Sequence, residues 1–498
     1  MSTWATLTAP TYALPLDAVR VMVGVLSFVY FARTFRESPL VSAPDGLLDH
    51  ALQRHLLPFT RMTLIPPGVT LGQLRVLFAA GCVASLLLIA GVWVQPVALF
   101  LYLLAVSAYR WNMLVMYVDD AFLHLALFWM VLLPVGHTLV LPELLADPGG
   151  SWAAGKAALV PGFTMWCFLA NLALVYVVAG LWKWTSPLWR RGWALYAALR
   201  MPVSYRPDAW HPSQRLALKL GNYFALVVEP FLALLVVLPP YSPLKWALFA
   251  CAVAFHLGIV VTKKFPFANL AMLGAGVVYF RQELLDALGA PALPPAPEGL
   301  PLTFADWLAL GTVACLALLF LTNALFYREH STPRWRMKGL RKPALNPFYV
   351  PLWAIGLAQS YRLFDWIDDR NYRVDYEVTE TSPGRPARPV DQLVLFPRSM
   401  RHVLLQSYLH GNIWMKLDPA ALPELRERIL ARYARWYCRT HAAAAGEAVD
   451  VAVDAIVQRI TLDNLDLHRG TRTRLLRFTS LAGEAEVTAM CLTPPDYR

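Results

Sequence analysis

Long apolar blocks separated by short polar segments occupy the first two thirds of the chain. A helix needs about 20 mostly apolar residues to cross the hydrocarbon core of a bilayer. Nine blocks meet or approach that length, so we predict nine spans, at 15–33, 74–94, 96–116, 121–142, 163–183, 216–238, 244–262, 266–282 and 305–327. The apolar run 348–360 is too short to cross and contains Pro351. It is predicted to lie at the interface or to pack against the bundle.

The pattern changes after about residue 328. Asn371–Glu380 (NYRVDYEVTE) places apolar side chains at every second position, as a half-buried strand does. Strands are also predicted at 392–397, 449–462 and 484–493, and a helix with one apolar face at 423–441. We therefore predict a polytopic α-helical membrane bundle of about nine spans with a C-terminal α+β, largely β, soluble domain. Its divisions are a bundle over 1–327, a basic linker and interfacial segment over 328–360, and the soluble domain over 361–498.

Composition supports this division. The 498 residues are 57% hydrophobic and 15% charged, whereas soluble domains carry about 25% charged residues. Residues 1–327 hold 19 Lys/Arg and 14 Asp/Glu, or about 10% charged, and residues 328–498 hold 25 and 19, or about 26%. The net charge of +11 indicates a basic surface facing a membrane, and no nucleic-acid partner is expected.

Basic residues also alternate between the connections. Segments 34–73, 110–120, 184–215 and 263–265 hold most of the Lys/Arg of the bundle and would share one side with the tail after 327. The positive-inside rule would make that side cytoplasmic. The six cysteines show no CxxC or zinc-ligand spacing, so no metal site is expected.

Ionisable and amide side chains inside spans are costly, and each is a candidate for function. Two pairs have helix-face spacing: Asp17 with Arg20, three residues apart, and Asp120 with His124, four apart. The first pair is predicted to be an internal salt bridge. For the second, which follows Asp119, a capping or polar-network role and a catalytic role both stay open. Three more polar side chains interrupt apolar spans and can either join helices or act in chemistry: Asn171, Glu229 and His256.

The segment 175–194 (VYVVAGLWKWTSPLWRRGWA) contains the strongest local motif. Lys183 lies between Trp182 and Trp184 at the end of an apolar span, as a snorkelling lysine with interfacial tryptophans would. Alternatively, apolar surroundings favour the uncharged amine, which can act as a general base. Gly180 would allow a helix or a ligand ring to approach the backbone closely.

The AGLWKW segment, followed by Trp189 and Gly192, resembles the Ala-Gly-x-x-Lys stretch of the vitamin K-dependent γ-carboxylase-like (HTTM, horizontally transferred transmembrane) family. Further similar segments are PLDAVRVMVG, DDAFLHLALFWMVLLPVG, EPFLALLVVLPP and FHLGIVVTKKFPFANLAML, in the family order, and SYRLFDWIDDRNYRVDYEV at the start of the soluble part.

This resemblance implies an enzyme of the lyase class that couples oxidation of a reduced prenyl-quinone by O2 to carboxylation of a protein or peptide by CO2, with Lys183 as the base. Beside Lys183, the catalytic candidates are polar residues of the apolar spans, Asp120, His124, Glu229 and His256, and the cofactor-binding candidates are the motif residues Gly180, Trp182 and Trp184. The resemblance also implies an extracytoplasmic soluble domain, opposite to the positive-inside prediction, in which Cys438 and Cys491 could be bridged.

One departure keeps an alternative open. The carboxylases carry an Asn-His pair where this chain has Asp119-Asp120. A non-catalytic membrane protein that binds lipid or quinone, or that assists maturation of a secreted partner, is the second hypothesis. A secondary transporter using Glu229 and His256 is a third, disfavoured because the sequence shows no internal repeat.

Overall fold

The computed structural model describes residues 3–44, 46, 48–56, 58–112, 118–199, 204–206, 209–263, 266–293, 301–326, 347–357, 372–381, 388–393, 432, 450–460, 467–479 and 485–486. This part of the chain is mostly helical. The helices are α1 (Thr3–Thr8), α2 (Ala13–Val41), α3 (His50–Leu56), α4 (Leu71–Ala90), α5 (Val94–Trp111), α6 (Val118–Leu132), α7 (Leu141–Ala146), α8 (Pro148–Ala157), α9 (Phe163–Thr185), α10 (Pro187–Arg190), α11 (Ala194–Leu199), α12 (Arg215–Phe231), α13 (Pro243–Thr262), α14 (Pro266–Gly274), α15 (Gly276–Tyr279), α16 (Arg281–Ala287), α17 (Phe304–Phe326) and α18 (Tyr349–Ala354). Short 3-10 turns lie at Pro58–Arg61, Pro212–Gln214 and Leu232–Val236.

Seven helical segments in the described residues are long and apolar enough to cross a membrane, and they overlap seven of the nine predicted spans. They are Ala13–Pro39, Leu71–Ala90, Val94–Trp111, Phe163–Thr185, Arg215–Val236, Pro243–Thr262 and Phe304–Asn323. At the other two predicted positions the apolar helices are shorter, Phe122–Leu132 and Pro266–Tyr279. The protein is therefore a multi-pass integral membrane protein.

The chain leaves the helical conformation early in both shorter segments. After Leu132 the chain leaves the helix, and the backbone N–H groups of Gly136, His137 and Thr138 donate to the carboxylate of Asp17. The second segment is interrupted between Gly274 and Gly276, where α14 gives way to the short α15.

The bundle core is formed mainly by α2, α4, α5, α6 and α9. Glycines bring α2 and α4 together, because a Cβ on Gly81 would lie 2.6 Å from the Phe31 ring and one on Gly24 would lie 2.6 Å from Ile89. Two short strands, β1 (Pro10–Tyr12) and β2 (Leu159–Pro161), pair antiparallel just before α2 and α9, so these two helices start at the same end of the bundle.

The segment predicted over 348–360 packs against the bundle. It forms α18, Leu352 is buried, and Arg110 at the end of α5 donates to the carbonyls of Trp353 and Ala354, each at 2.7 Å.

In the C-terminal part, the described residues form five strands of one antiparallel sheet, in the order β4-β3-β5-β6-β7. They are β3 (Tyr372–Thr381), β4 (Arg388–Leu393), β5 (Asp450–Ile460), β6 (Leu467–Thr479) and β7 (Ala485–Glu486). Strands β3, β5 and β7 overlap predicted strands, β4 begins before its predicted position, and β6 was not predicted. The predicted helix at 423–441 lies, apart from residue 432, outside the described residues, as do Cys438 and Cys491.

Candidate functional site

The central feature of the site is a buried ion pair between α9 and α12. Lys183 Nζ lies 2.5 Å from Glu229 Oε2, and the side chains are 3% and 4% exposed. The apolar sequence around Glu229 predicted an expensive carboxylate in a span, and the lysine of the AGLWKW motif supplies its counter-charge. The structure therefore joins two residues that are 46 positions apart in the sequence.

A glycine allows this pair to form. A Cβ on Gly180 would lie 2.6 Å from Cδ and 2.9 Å from the backbone nitrogen of Pro230, which is closer than real Cβ contacts. Hence the helix that approaches Gly180 is α12, and this contact brings Glu229 to Lys183 one turn further along α9.

The two tryptophans of the motif differ in position. Trp182 is buried, whereas Trp184 is 47% exposed and donates its indole N–H to the carbonyl of Leu226 at 2.6 Å. A third tryptophan, Trp189 on α10, places its ring centroid 5.7 Å from Lys183 Nζ. This distance fits a cation–π contact that partly replaces the lost hydration of the ammonium.

Next to the ion pair lies a chain of hydrogen bonds across α9, α13 and α14. The hydroxyl of Tyr176 is 2.8 Å from His256 Nε2, and His256 Nδ1 is 2.9 Å from Asn269 Oδ1. Because an amide oxygen only accepts, His256 carries its proton on Nδ1, and its Nε2 accepts the Tyr176 hydroxyl proton. Asn269 thus orients the histidine as a proton acceptor for the tyrosine.

The two groups influence each other electrostatically. Tyr176 interacts with the charge of Glu229 and with the hydroxyl of Tyr279. The Tyr279 hydroxyl is buried, and it has no hydrogen-bond partner in the part of the chain that the structure describes. We call these six residues the core polar cluster: Tyr176, Lys183, Glu229, His256, Asn269 and Tyr279.

Sequence reasoning found Lys183, Glu229 and His256 but missed the other three. Tyr176 precedes Lys183 by seven residues, which is two helical turns on the same face of α9, and this spacing was a usable signal. Asn269 and Tyr279 gave no such signal, because their connection to the cluster depends on how α14 and α15 pack.

The remaining predicted site residues are not part of this cluster. His124 is buried against α5, with its ring centroid 4.7 Å from that of Tyr109, and no described residue bonds to its Nε2. Asp120 is in α6, but its side chain lies outside the described set, as does that of Asp119. Asn171 accepts a hydrogen bond of 2.9 Å from the indole of Trp129, which joins α9 to α6.

The predicted Asp17–Arg20 salt bridge is present, at 2.7 Å with both side chains fully buried. Arg20 also donates to the carbonyls of Leu88 and Ile89 at the end of α4, and to those of Thr138 and Leu139 after α6. Every hydrogen-bonding group of the pair has a partner within the fold. We call this arrangement a structural clamp, because the pair links α2 to the end of α4 and to the segment after α6.

Two further buried lysines lie outside the core polar cluster. Lys245 donates to Glu283 at 2.8 Å, with side chains 3% and 5% exposed. Lys263, just after α13, donates to Ser204 Oγ at 2.6 Å and to the carbonyl of Ala198, and burial lowers the pKa of its ammonium to about 7.

Among the described residues no group of three or more His, Cys, Asp and Glu side chains is placed to hold a metal ion. Cys82, Cys167, Cys251 and Cys315 are free thiols. Comparison with known proteins adds no identification, because no protein-family model, curated protein or solved structure matches the chain.

Proposed function

We propose that this chain is a membrane enzyme of the vitamin K-dependent γ-carboxylase-like type, in which the core polar cluster takes a proton from a reduced prenyl-quinone. The observation that carries the proposal is the buried Lys183–Glu229 pair at the end of the AGLWKW helix. The proposal includes nine bundle segments, with α6 and α14–α15 as the two short ones, and a soluble α+β domain over 361–498.

The residues of the cluster fit a quinol. A quinol carries two hydroxyl groups on an apolar ring, so it needs hydrogen-bonding groups inside the bundle and apolar walls. Among the described residues the buried Tyr279 hydroxyl has no hydrogen-bond partner, and Tyr176, on which it acts electrostatically, is also influenced by the charge of Glu229. The gases O2 and CO2 are the implied co-substrates and need no charged site. A reduced quinone, when bound, supplies the acidic hydroxyl and the reducing electrons.

The ion pair, rather than the lysine alone, is the base in this proposal. As ammonium and carboxylate, the pair accepts a proton on Glu229; as amine and carboxylic acid, it accepts one on Lys183 Nζ. In either form the pair takes up one proton, and the product is an ammonium beside a neutral acid. Burial keeps water from supplying competing protons.

The Tyr176–His256–Asn269 chain offers a second place for a proton. His256 Nε2 can take the Tyr176 hydroxyl proton, which leaves the tyrosine oxygen free to accept one from a neighbouring hydroxyl. Because a quinol releases two protons on oxidation, two proton-accepting groups in one cluster suit this chemistry.

The test is oxygen uptake by the purified chain with a short-chain reduced menaquinone. Lys183→Met and Glu229→Gln should each lower the rate about 100-fold or more, as loss of a general base does. Lys245→Met is the matched control, because it breaks another buried Lys–Glu pair outside the cluster and should leave the rate unchanged.

Each outcome has a defined meaning. Wild-type turnover by Lys183→Met would refute the proposal, and full activity of Glu229→Gln would refute the shared role of the pair. Binding of the reduced quinone by the wild-type chain with no oxygen uptake would favour the non-catalytic alternative. If uptake occurs, incorporation of labelled CO2 into a glutamate-containing peptide tests the carboxylation step.

A further inference from the structure

A basic surface lies where α10, α11 and the first half of α12 meet. Trp193, just before α11, has two cations against its ring: Lys219 Nζ is 4.5 Å and Arg215 Cζ is 5.2 Å from the ring centroid. Both cations belong to α12 and are one turn apart. We call these three residues the Trp193 platform.

The lysine of the platform is held in place by its stem. Gly192 has φ +85°, and a Cβ there would lie 3.3 Å from Lys219 Cγ and 3.1 Å from the Tyr223 hydroxyl. The turn before Trp193 therefore closes on the aliphatic part of Lys219, and the Tyr223 hydroxyl donates to the carbonyl of Arg190. The ammonium is thereby positioned over the indole ring rather than left to move freely.

Negative charge is scarce around the platform. Residues 184–219 contain six Lys/Arg and one Asp in the sequence. Within the described residues no carboxylate forms an ion pair with Arg215 or Lys219. Two cations on one ring repel each other, and an anion that bridges them would relieve this repulsion.

The platform borders an exposed apolar stripe on α12. Leu216, Leu220, Tyr223 and Val227 follow one another at spacings of four, three and four residues, and all are exposed, by 40% to 73%. Such a stripe on a candidate membrane span contacts acyl chains. Arg215 and Lys219 each precede a residue of the stripe, so the two cations flank it where a headgroup would lie.

We propose that the Trp193 platform binds the phosphate of an anionic phospholipid headgroup, with the acyl chains of that lipid along the Leu216–Val227 stripe. This site is separate from the proposed quinol chemistry and does not depend on it. Basic side chains at an interface attract anionic lipids by about 1 kcal/mol each.

The experiment is native mass spectrometry of the full chain in detergent, titrated with short-chain phosphatidylglycerol, phosphatidylcholine or inorganic phosphate. One saturable phosphatidylglycerol is expected, with much weaker binding of the other two. Arg215→Gln/Lys219→Gln should weaken phosphatidylglycerol binding about thirtyfold, whereas Arg215→Lys/Lys219→Arg should retain it.

The matched control is Arg36→Gln/Arg75→Gln. It also removes two positive charges, at the end of the bundle where the Trp193 platform lies. It should change the affinity less than about twofold. Equal weakening by both neutral pairs would overturn the proposal in favour of general charge attraction. Equally tight binding of phosphatidylcholine would exclude selection of anionic lipid, and equally tight binding of inorganic phosphate would exclude a lipid as the specific ligand. Far-UV circular dichroism confirms that each variant compared is folded.

Discussion

The contact between Gly180 and Pro230 allows a direct test of how the core site is assembled. In Gly180→Ala the new Cβ would lie 2.6 Å from Pro230 Cδ, whereas ordinary contacts begin at 3.4 Å, so α9 and α12 must separate by about 3.4 − 2.6 = 0.8 Å. The proline ring is rigid and its nitrogen belongs to the backbone, so a side-chain rotation cannot relieve the clash.

The expected free energies follow from two opposing effects. Replacing glycine by alanine inside a helix stabilises by roughly 0.5–1 kcal/mol, and overpacking a well-filled contact destabilises by about 1–3 kcal/mol. The control is Gly258→Ala in α13, where a Cβ would meet nothing within 4 Å. Gly258→Ala gains the helix stabilisation without the overpacking cost. We therefore expect the two variants to differ in unfolding free energy by about 1–3 kcal/mol.

The measurement is unfolding in mixed micelles of mild detergent and SDS, followed by far-UV circular dichroism. Oxygen uptake with the reduced quinone is measured on the same samples. Separation of the helices lengthens the Lys183–Glu229 contact, so Gly180→Ala should also lose activity while Gly258→Ala keeps it. Equal stability of the two alanine variants would refute the proposed contact between α9 and α12.

Three further predictions concern buried charged or titratable groups. Asp17→Asn leaves Arg20 buried without its carboxylate, so the unfolding free energy should fall by about 3 kcal/mol or more; a change below about 1 kcal/mol would contradict the clamp. Burial lowers the pKa of Lys263 from 10.5 to about 7, so between these pH values the unfolded chain holds a proton that the folded chain lacks. The unfolding free energy should therefore rise with pH over this range. In Lys263→Met this rise should be absent. Burial also lowers the pKa of His50, which stacks on Trp111, from 6.5 to about 4. The unfolding free energy should therefore fall as the pH drops from 6.5 to about 4. Thermal unfolding of His50→Phe should not show this pH dependence.

Much of the bundle could be predicted from the sequence, because a run of about 20 apolar residues has few alternatives to crossing a membrane. Seven predicted spans have helices of sufficient length. The two short segments were harder to delimit, since their ends depend on long-range contacts: the residues after Leu132 turn back to Asp17.

The C-terminal strands show the same limit. Alternating apolar residues predicted β3, but β6 (LHRGTRTRLLRFT) is rich in arginine and has no regular alternation. It becomes a strand by pairing with β5 over most of its length, and such pairing is not visible in local sequence.

For the candidate site, the residues that are out of place in a membrane can be identified without a structure, because Lys183, Glu229 and His256 each interrupt or end an apolar span. It left open whether Lys183 reaches the interface or is held in the core. Helix packing answers that question: the bare backbone at Gly180 admits Pro230, and Lys183 Nζ then lies 2.5 Å from Glu229 Oε2 in the core. A charge in an apolar segment is a local property of the sequence, whereas its partner is determined by helix packing.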